Sequence, residues 1–342
     1  VSAAAETEWY QPLPWQQTQW SQIDGARRRG QLTHAWLLAG PEGVGKRAFA
    51  RAVAASLLCS QPDELGRACG HCRGCRMLAA GGHPDAHLLS PDGHLGLAAS
   101  DSLQHEDGLS FWTPKKDSAR RDIAVDAARS LLEKLTVASH LGGARVVVVH
   151  PASAMSEATA NALLKTIEEP PANTYLLFLA EFPQALKQTI RSRCQTLRFA
   201  PPPTTEALDW LRARHPAADA ALLADAGGAP LRAAEWIAED QPARRRRWQT
   251  LLSQVLERKL DPLQAAAEFG RDKLEVAALC RYWQEALLRQ LRQGQWSPRH
   301  EQFLALLLEN LRLLENQNAQ PQLVLESLLL RWRTLAGAGA SA

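Results

Sequence analysis

Up to about Phe199 the chain alternates short apolar runs with stretches of helical periodicity. Ala35–Ala39, Ala86–Leu89, Arg145–His150, Tyr175–Ala180 and Thr196–Phe199 read as strands. Several are apolar throughout and bounded by glycine, proline or charge, as buried strands are. Strands separated by helices predict a parallel sheet covered on both faces. Arg47–Leu58 and Ala160–Glu169 read as helices, and Gln184–Arg191 places Ser192-Arg193-Cys194 at a helix end. Pro201-Pro202-Pro203 interrupts the pattern, because proline fits neither a ladder nor a helix interior. Beyond it the strand signal stops. Thr205–Arg214, Ala218–Ala226 and Leu231–Glu239 predict short helices, with Gly227-Gly228-Ala229-Pro230 between the last two. A softer boundary falls near Gln241-Pro242. Phe303, Leu306, Leu307, Leu311 and Leu314, then Leu325, Leu328 and Leu329, recur at helical spacing. The expected fold class is therefore α/β followed by all-α. Residues 90–121 have little periodicity and predict a surface insertion, and residues 336–342 predict a disordered tail.

Composition narrows the class. The 342 residues are 46% hydrophobic and 22% charged, which fits a soluble globular chain of two to three domains. No apolar run approaches the ~20 residues that span a bilayer. Val1 to Tyr10 has neither the basic start nor the apolar core of a signal peptide, so a cytoplasmic protein without a membrane partner is expected. A net charge of +3 is too small to imply nucleic-acid binding by bulk charge. Arg244–Arg247 is a local basic run that reads as the start of a solvated helix face.

Gly40-Pro41-Glu42-Gly43-Val44-Gly45-Lys46 lies between a predicted strand and a predicted helix, the setting of a phosphate-binding loop. Its glycines let backbone N–H groups converge on phosphate oxygens at a helix N-terminus, with Lys46 reaching the terminal phosphates. The next residue should carry a hydroxyl for Mg²⁺, but it is Arg47, which cannot ligate a cation. The strand Arg145–Val149 ends in His150-Pro151, with no acid before Glu157. The scaffold of an ATPase is present without its chemistry. A loop kept for packing, or one that binds ATP or ADP through Gly40, Gly43, Gly45 and Lys46 without hydrolysis, both fit.

Cys59, Cys69, Cys72 and Cys75 follow C-x9-C-x2-C-x2-C. Four thiolates suit a closed tetrahedral Zn²⁺ site of structural type, with an iron–sulfur cluster as the rival and His71 as a substitute ligand. Cys194 and Cys280 stand alone and read as packed or interface thiols rather than nucleophiles. A zinc-ribbon nucleic-acid module on an inactive P-loop scaffold is a reading of another class. Arg67, Arg73 and Arg76 flank the cysteines, but no aromatic residue is interleaved with them.

Taken together, these motifs resemble a known family. The cysteine insert follows the P-loop. Then come Gly82-His83-Pro84-Asp85, Leu141-Gly142-Gly143-Ala144-Arg145-Val146-Val147, Asn161-Ala162-Leu163-Leu164-Lys165-Thr166-Ile167-Glu168-Glu169-Pro170-Pro171 and Arg191-Ser192-Arg193-Cys194. The set resembles the delta-prime family of bacterial DNA polymerase III clamp-loader subunits, within the AAA+ proteins. The resemblance implies an AAA+ domain over 1–200 with a zinc module at 59–75, a small helical lid over 201–241, and a helical collar over 242–342. It implies a non-catalytic stator that helps load the sliding clamp onto primed DNA. Its implied partners are gamma/tau motor subunits, a delta subunit, primed DNA inside the assembly, and the clamp by weak or indirect contact. Arg193 is implied as an arginine finger acting in the neighbouring motor's ATP site. A motor subunit of the same loader is the alternative. Against it stand Arg47, His150-Pro151, Ala180-Glu181 where a sensor threonine is needed, and Leu231 or a displaced Arg232 where a lid arginine is needed.

Overall fold

The computed structural model describes residues 10–97, 122–292, 294, 297–316 and 319–337. It divides into two compact units, Val1–Glu235 and Trp236–Ala342. The first is α/β and the second is helical, in the order the pattern of the chain implies.

The first unit is built on a six-stranded sheet. Its strands are β1 (Ala35–Ala39), β2 (Ala86–Ser90), β3 (Gly93–Gly96), β4 (Arg145–Val149), β5 (Thr174–Ala180) and β6 (Gln195–Arg198), in the order β3-β2-β4-β5-β1-β6. From β2 to β6 neighbouring strands are parallel. The five predicted strands are the parallel ones, and β3, which the pattern of the chain does not predict, joins them antiparallel to β2. The cause is the connection: only Pro91 and Asp92 separate the two strands, and so short a link can only turn the chain back on itself. The segment expected as a surface insertion thus begins inside the sheet; its remainder, 98–121, lies outside the described residues.

The solid apolar strands have a packing explanation. Along each, alternate residues face opposite sides, and both sides are covered. Trp36, Leu38, Val146, Val148, Leu177 and Leu179 join Phe49, Ala50 and Val53 of α2 (Lys46–Leu58) in one core. On the other face Leu37, Val147, Val149, Leu176 and Phe178 meet Leu131 and Leu135 of α4 (Val125–Thr136) and Leu163 and Ile167 of α5 (Glu157–Glu168). α1 (Gln17–Arg28) and α3 (Arg73–Ala79) complete this part. α5 starts at Ser156, whose side chain accepts from the Thr159 N–H, and stops before Pro170-Pro171. The segment Gln184–Arg191 is not one helix. A 3₁₀ turn at Pro183–Ala185 is followed by extended Leu186 and Lys187, and only Gln188–Arg191 (α6) is α-helical. Leu186 and Ile190 are buried in the core beneath, which holds the break in place. α7 (Thr204–Arg214), α8 (Ala220–Asp225) and α9 (Pro230–Ala238) follow.

The second unit comprises α10 (Gln241–Leu256), α11 (Pro262–Phe269), α12 (Lys273–Arg292), α13 (Pro298–Asn316) and α14 (Pro321–Gly337). Its core joins Trp248, Leu251, Trp283, Phe303, Leu307, Leu314, Leu325, Leu328 and Leu329. Ala336 and Gly337, expected in a disordered tail, are helical, and 338–342 lie outside the described residues. The Arg244–Arg247 run is only partly a solvated face. Arg245 is buried, 2.8 Å from Glu285 and stacked 3.7 Å from the Trp236 ring centroid, while Arg244 pairs with Glu275. Among the described residues no helix is long and apolar enough to cross a membrane.

Candidate functional site

The phosphate loop has the expected placement. β1 ends at Ala39 and α2 begins at Lys46. Gly43 (φ +75°) and Gly45 (φ +94°) take left-handed backbone that a side chain would strain. The loop's carbonyls and Lys46 bond within the protein itself. Lys46 Nζ donates to the carbonyls of Gly40 at 2.5 Å and Pro41 at 2.6 Å. Trp15 Nε1 donates to Val44 O at 3.0 Å, and Gln16 Nε2 to Gly45 O at 2.9 Å. The Leu231 N–H donates to Gly43 O at 3.1 Å, and a Cβ on Gly43 would overlap Arg232. Burial lowers the Lys46 ammonium to about 8, with Glu181 and Glu42 partly opposing. Arg47, in the place of the Mg²⁺-binding hydroxyl, pairs with Glu235 at 3.2 Å. His150 holds the place of the catalytic acid. Burial, then the charges of Arg47 and Lys46, push it down to about 3, so it is neutral at physiological pH. A neutral imidazole, unlike a carboxylate, brings no negative charge to this position.

The four cysteines come together as the spacing predicts. Cys59 follows α2, and Cys72 and Cys75 flank the start of α3. Their Sγ atoms and that of Cys69 all lie within 4.8 Å of one another, and this set could hold a metal ion. Cys59 Sγ is 3.5 Å from Cys69 Sγ and 3.8 Å from Cys72 Sγ. Backbone N–H groups aim at the sulfurs: Gln61 and Cys69 at Cys59, Cys72 at Cys69, and Cys75 at Cys72. Burial opposes ionisation of Cys72, yet the N–H groups of Cys75 and Ser60 bring it down to about 6, while burial pushes Cys75 up. His71 turns away, its Nδ1 2.8 Å from the Cys69 carbonyl oxygen. Outside the cluster, burial pushes Cys194 and Cys280 up to about 12, away from the reactive thiolate form.

Arg193 lies just past α6, half-exposed. Its Nε donates to Glu168 Oε1 at 2.6 Å and its Nη1 to Thr189 O at 2.8 Å. Glu168 is the partner the sequence did not disclose, as are Trp15 and Gln16 for the phosphate loop. None of the three sits in a local pattern that ties it to its partner.

A family model described as DNA polymerase III, delta subunit, matches residues 15–203, more than half of the chain. A DNA polymerase III subunit delta' of Pseudomonas aeruginosa is 41% identical over 224 residues, covering 64% of this chain and 60% of the relative. The Escherichia coli K12 subunit of the same name is 36% identical over 216 residues, covering 63% and 56%. The chain thus aligns with less than two thirds of the length of either. A DNA polymerase III gamma subunit-related protein of Thermotoga maritima shares the fold, with a TM-score of 0.50 at 18% identity over 92% of this chain and 99% of that one.

Proposed function

The chain belongs to the delta-prime family of DNA polymerase III clamp-loader subunits, and we propose that within the loader it is a stator that does not hydrolyse ATP. The observation that carries this reading is the pair of residues that stand beside the phosphate loop. His150 and Arg47 stand where an acid and a hydroxyl are needed, and Lys46 bonds the carbonyls of Gly40 and Pro41. The same features weigh against a motor subunit. In this reading residues 1–200 form the AAA+ domain, 201–241 the lid, and 242–342 the collar that joins the ring. The neighbours are gamma/tau motors and a delta subunit, around primed DNA in the cytoplasm, with the clamp reached weakly or indirectly.

Arg193 is the residue this chain lends. A phosphoryl group in transfer develops charge on its equatorial oxygens, and a guanidinium brought to it from a neighbouring subunit compensates that charge. The half-exposed position of Arg193 supports such a use. The cysteines fit Zn²⁺ in a structural role. Four thiolates at about 2.3 Å from a tetrahedral ion lie about 3.8 Å apart, close to the separations seen for Cys59 with Cys69 and Cys72. Cys59, Cys69, Cys72 and Cys75 would hold the ion and leave no open position for catalysis.

The test is a titration of the isolated protein with labelled ATP and Mg²⁺, following binding and turnover together. The expected result is no turnover. Turnover abolished by Lys46→Ala would make the chain a motor and overturn the proposal.

A further inference from the structure

Three groups fix the Arg193 guanidinium. Nε and Nη2 both lie 2.6 Å from Glu168 Oε1, so one carboxylate oxygen takes that edge of the fork. Nη1 donates to the Thr189 carbonyl at 2.8 Å and lies 3.4 Å from Ser192 Oγ. A guanidinium is planar and carries five N–H groups. With Nε and one Nη2 N–H on Glu168 and the two Nη1 N–H groups on Thr189 O and Ser192 Oγ, the plane is set and one N–H, on Nη2, is left for a further acceptor. The side chain is 39% exposed, so that N–H is within reach of a second molecule.

Glu168 occupies a position that local energetics disfavour. It is the last residue of α5, where the helix carbonyls already concentrate negative charge and a carboxylate is repelled. Its offset is the cation 25 residues further along the chain. The break between the 3₁₀ turn at Pro183–Ala185 and α6 delivers Arg193 to that carboxylate.

We propose that Glu168 is the positioning residue of the Arg193 finger, holding one edge of the guanidinium so that the other faces a phosphate of the adjacent subunit. The inference rests on the finger reading of Arg193. Glu168 touches no substrate and acts through the arginine alone. Were it a latch that competes with phosphate, its removal would speed hydrolysis; as a positioning group, its removal slows it.

The experiment is steady-state ATP hydrolysis by the reconstituted loader with clamp and primed DNA. It compares Glu168→Ala, Glu168→Gln, Arg193→Ala and the Glu168→Ala/Arg193→Ala pair. Glu168→Ala is expected to lower kcat by about two- to fivefold, the scale of an exposed ion pair, with KM for ATP little changed. Glu168→Gln, which keeps an acceptor oxygen, should recover part of that loss. The double variant should be no slower than Arg193→Ala, because the two residues act as one unit. A loss from Arg193→Ala with an unchanged or raised rate from Glu168→Ala overturns the positioning role and leaves the finger standing. Additive losses in the double variant, or a Glu168→Ala chain that no longer enters the loader, overturn it in favour of a structural ion pair. No effect of Arg193→Ala removes the finger reading itself.

Discussion

At the scale of single residues, the chemistry is divided between positions that declare themselves and positions that do not. The cysteines declare themselves because C-x2-C-x2-C leaves few ways to arrange the sulfurs, and the four Sγ atoms converge as that spacing requires. Cys72→Ser and Cys75→Ser are each expected to lose zinc and lower the Tm of the first unit; full metal retention by both, on elemental analysis, would contradict the zinc assignment. The glycines of the phosphate loop also declare themselves, but what fills the loop does not. Trp15 and Gln16 lie about 30 residues upstream and Leu231 far downstream, and no periodic signal links any of them to Gly43 or Gly45. The packing makes Gly43 a sensitive site. A Cβ there meets Arg232 backbone at a φ of +75°, so Gly43→Ala should destabilise the chain by about 1–3 kcal/mol in urea unfolding. An unchanged unfolding midpoint would mean that the loop is not packed against this segment.

At the scale of elements, legibility followed burial. β1, β4 and β5 were readable because covered faces demand apolar residues at every position. β3 was not. Gly93-His94-Leu95-Gly96 is half-exposed and owes its strand conformation to pairing with β2, which no local pattern records. The helical break before α6 was hidden for a related reason, since it is fixed by burial of Leu186 against the sheet rather than by periodicity. The strand ends also carry a pH dependence. Burial lowers His150, at the end of β4, to about 3, and His87, on β2, to about 4. An unfolded histidine titrates near 6.5, so both groups take up protons on unfolding below that pH. Their contribution to stability is present at neutral pH and is lost as pH falls from about 6.5 toward about 4 for His87 and about 3 for His150. Urea unfolding at fixed metal content should give a lower midpoint at pH 5 than at pH 7, with a smaller difference in His150→Asn. An equal difference in that variant would exclude His150 as a source.

At the scale of the whole molecule, the loss of strand signal after Pro201-Pro202-Pro203 marks the end of the sheet, while the two compact units divide later, between Glu235 and Trp236. Family membership rests chiefly on the first of these, since the matched region ends at residue 203. An arginine that works in another subunit's site cannot be judged in the isolated chain, and the ATPase of the assembled loader is the measurement that reaches it. With clamp and primed DNA present, the proposed finger role predicts that Arg193→Ala lowers hydrolysis, but by less than the ~10³–10⁵ associated with a sole arginine finger if the loader's other ATP sites keep theirs. A loader that carries this variant, assembles normally and hydrolyses ATP at the unaltered rate would contradict the account.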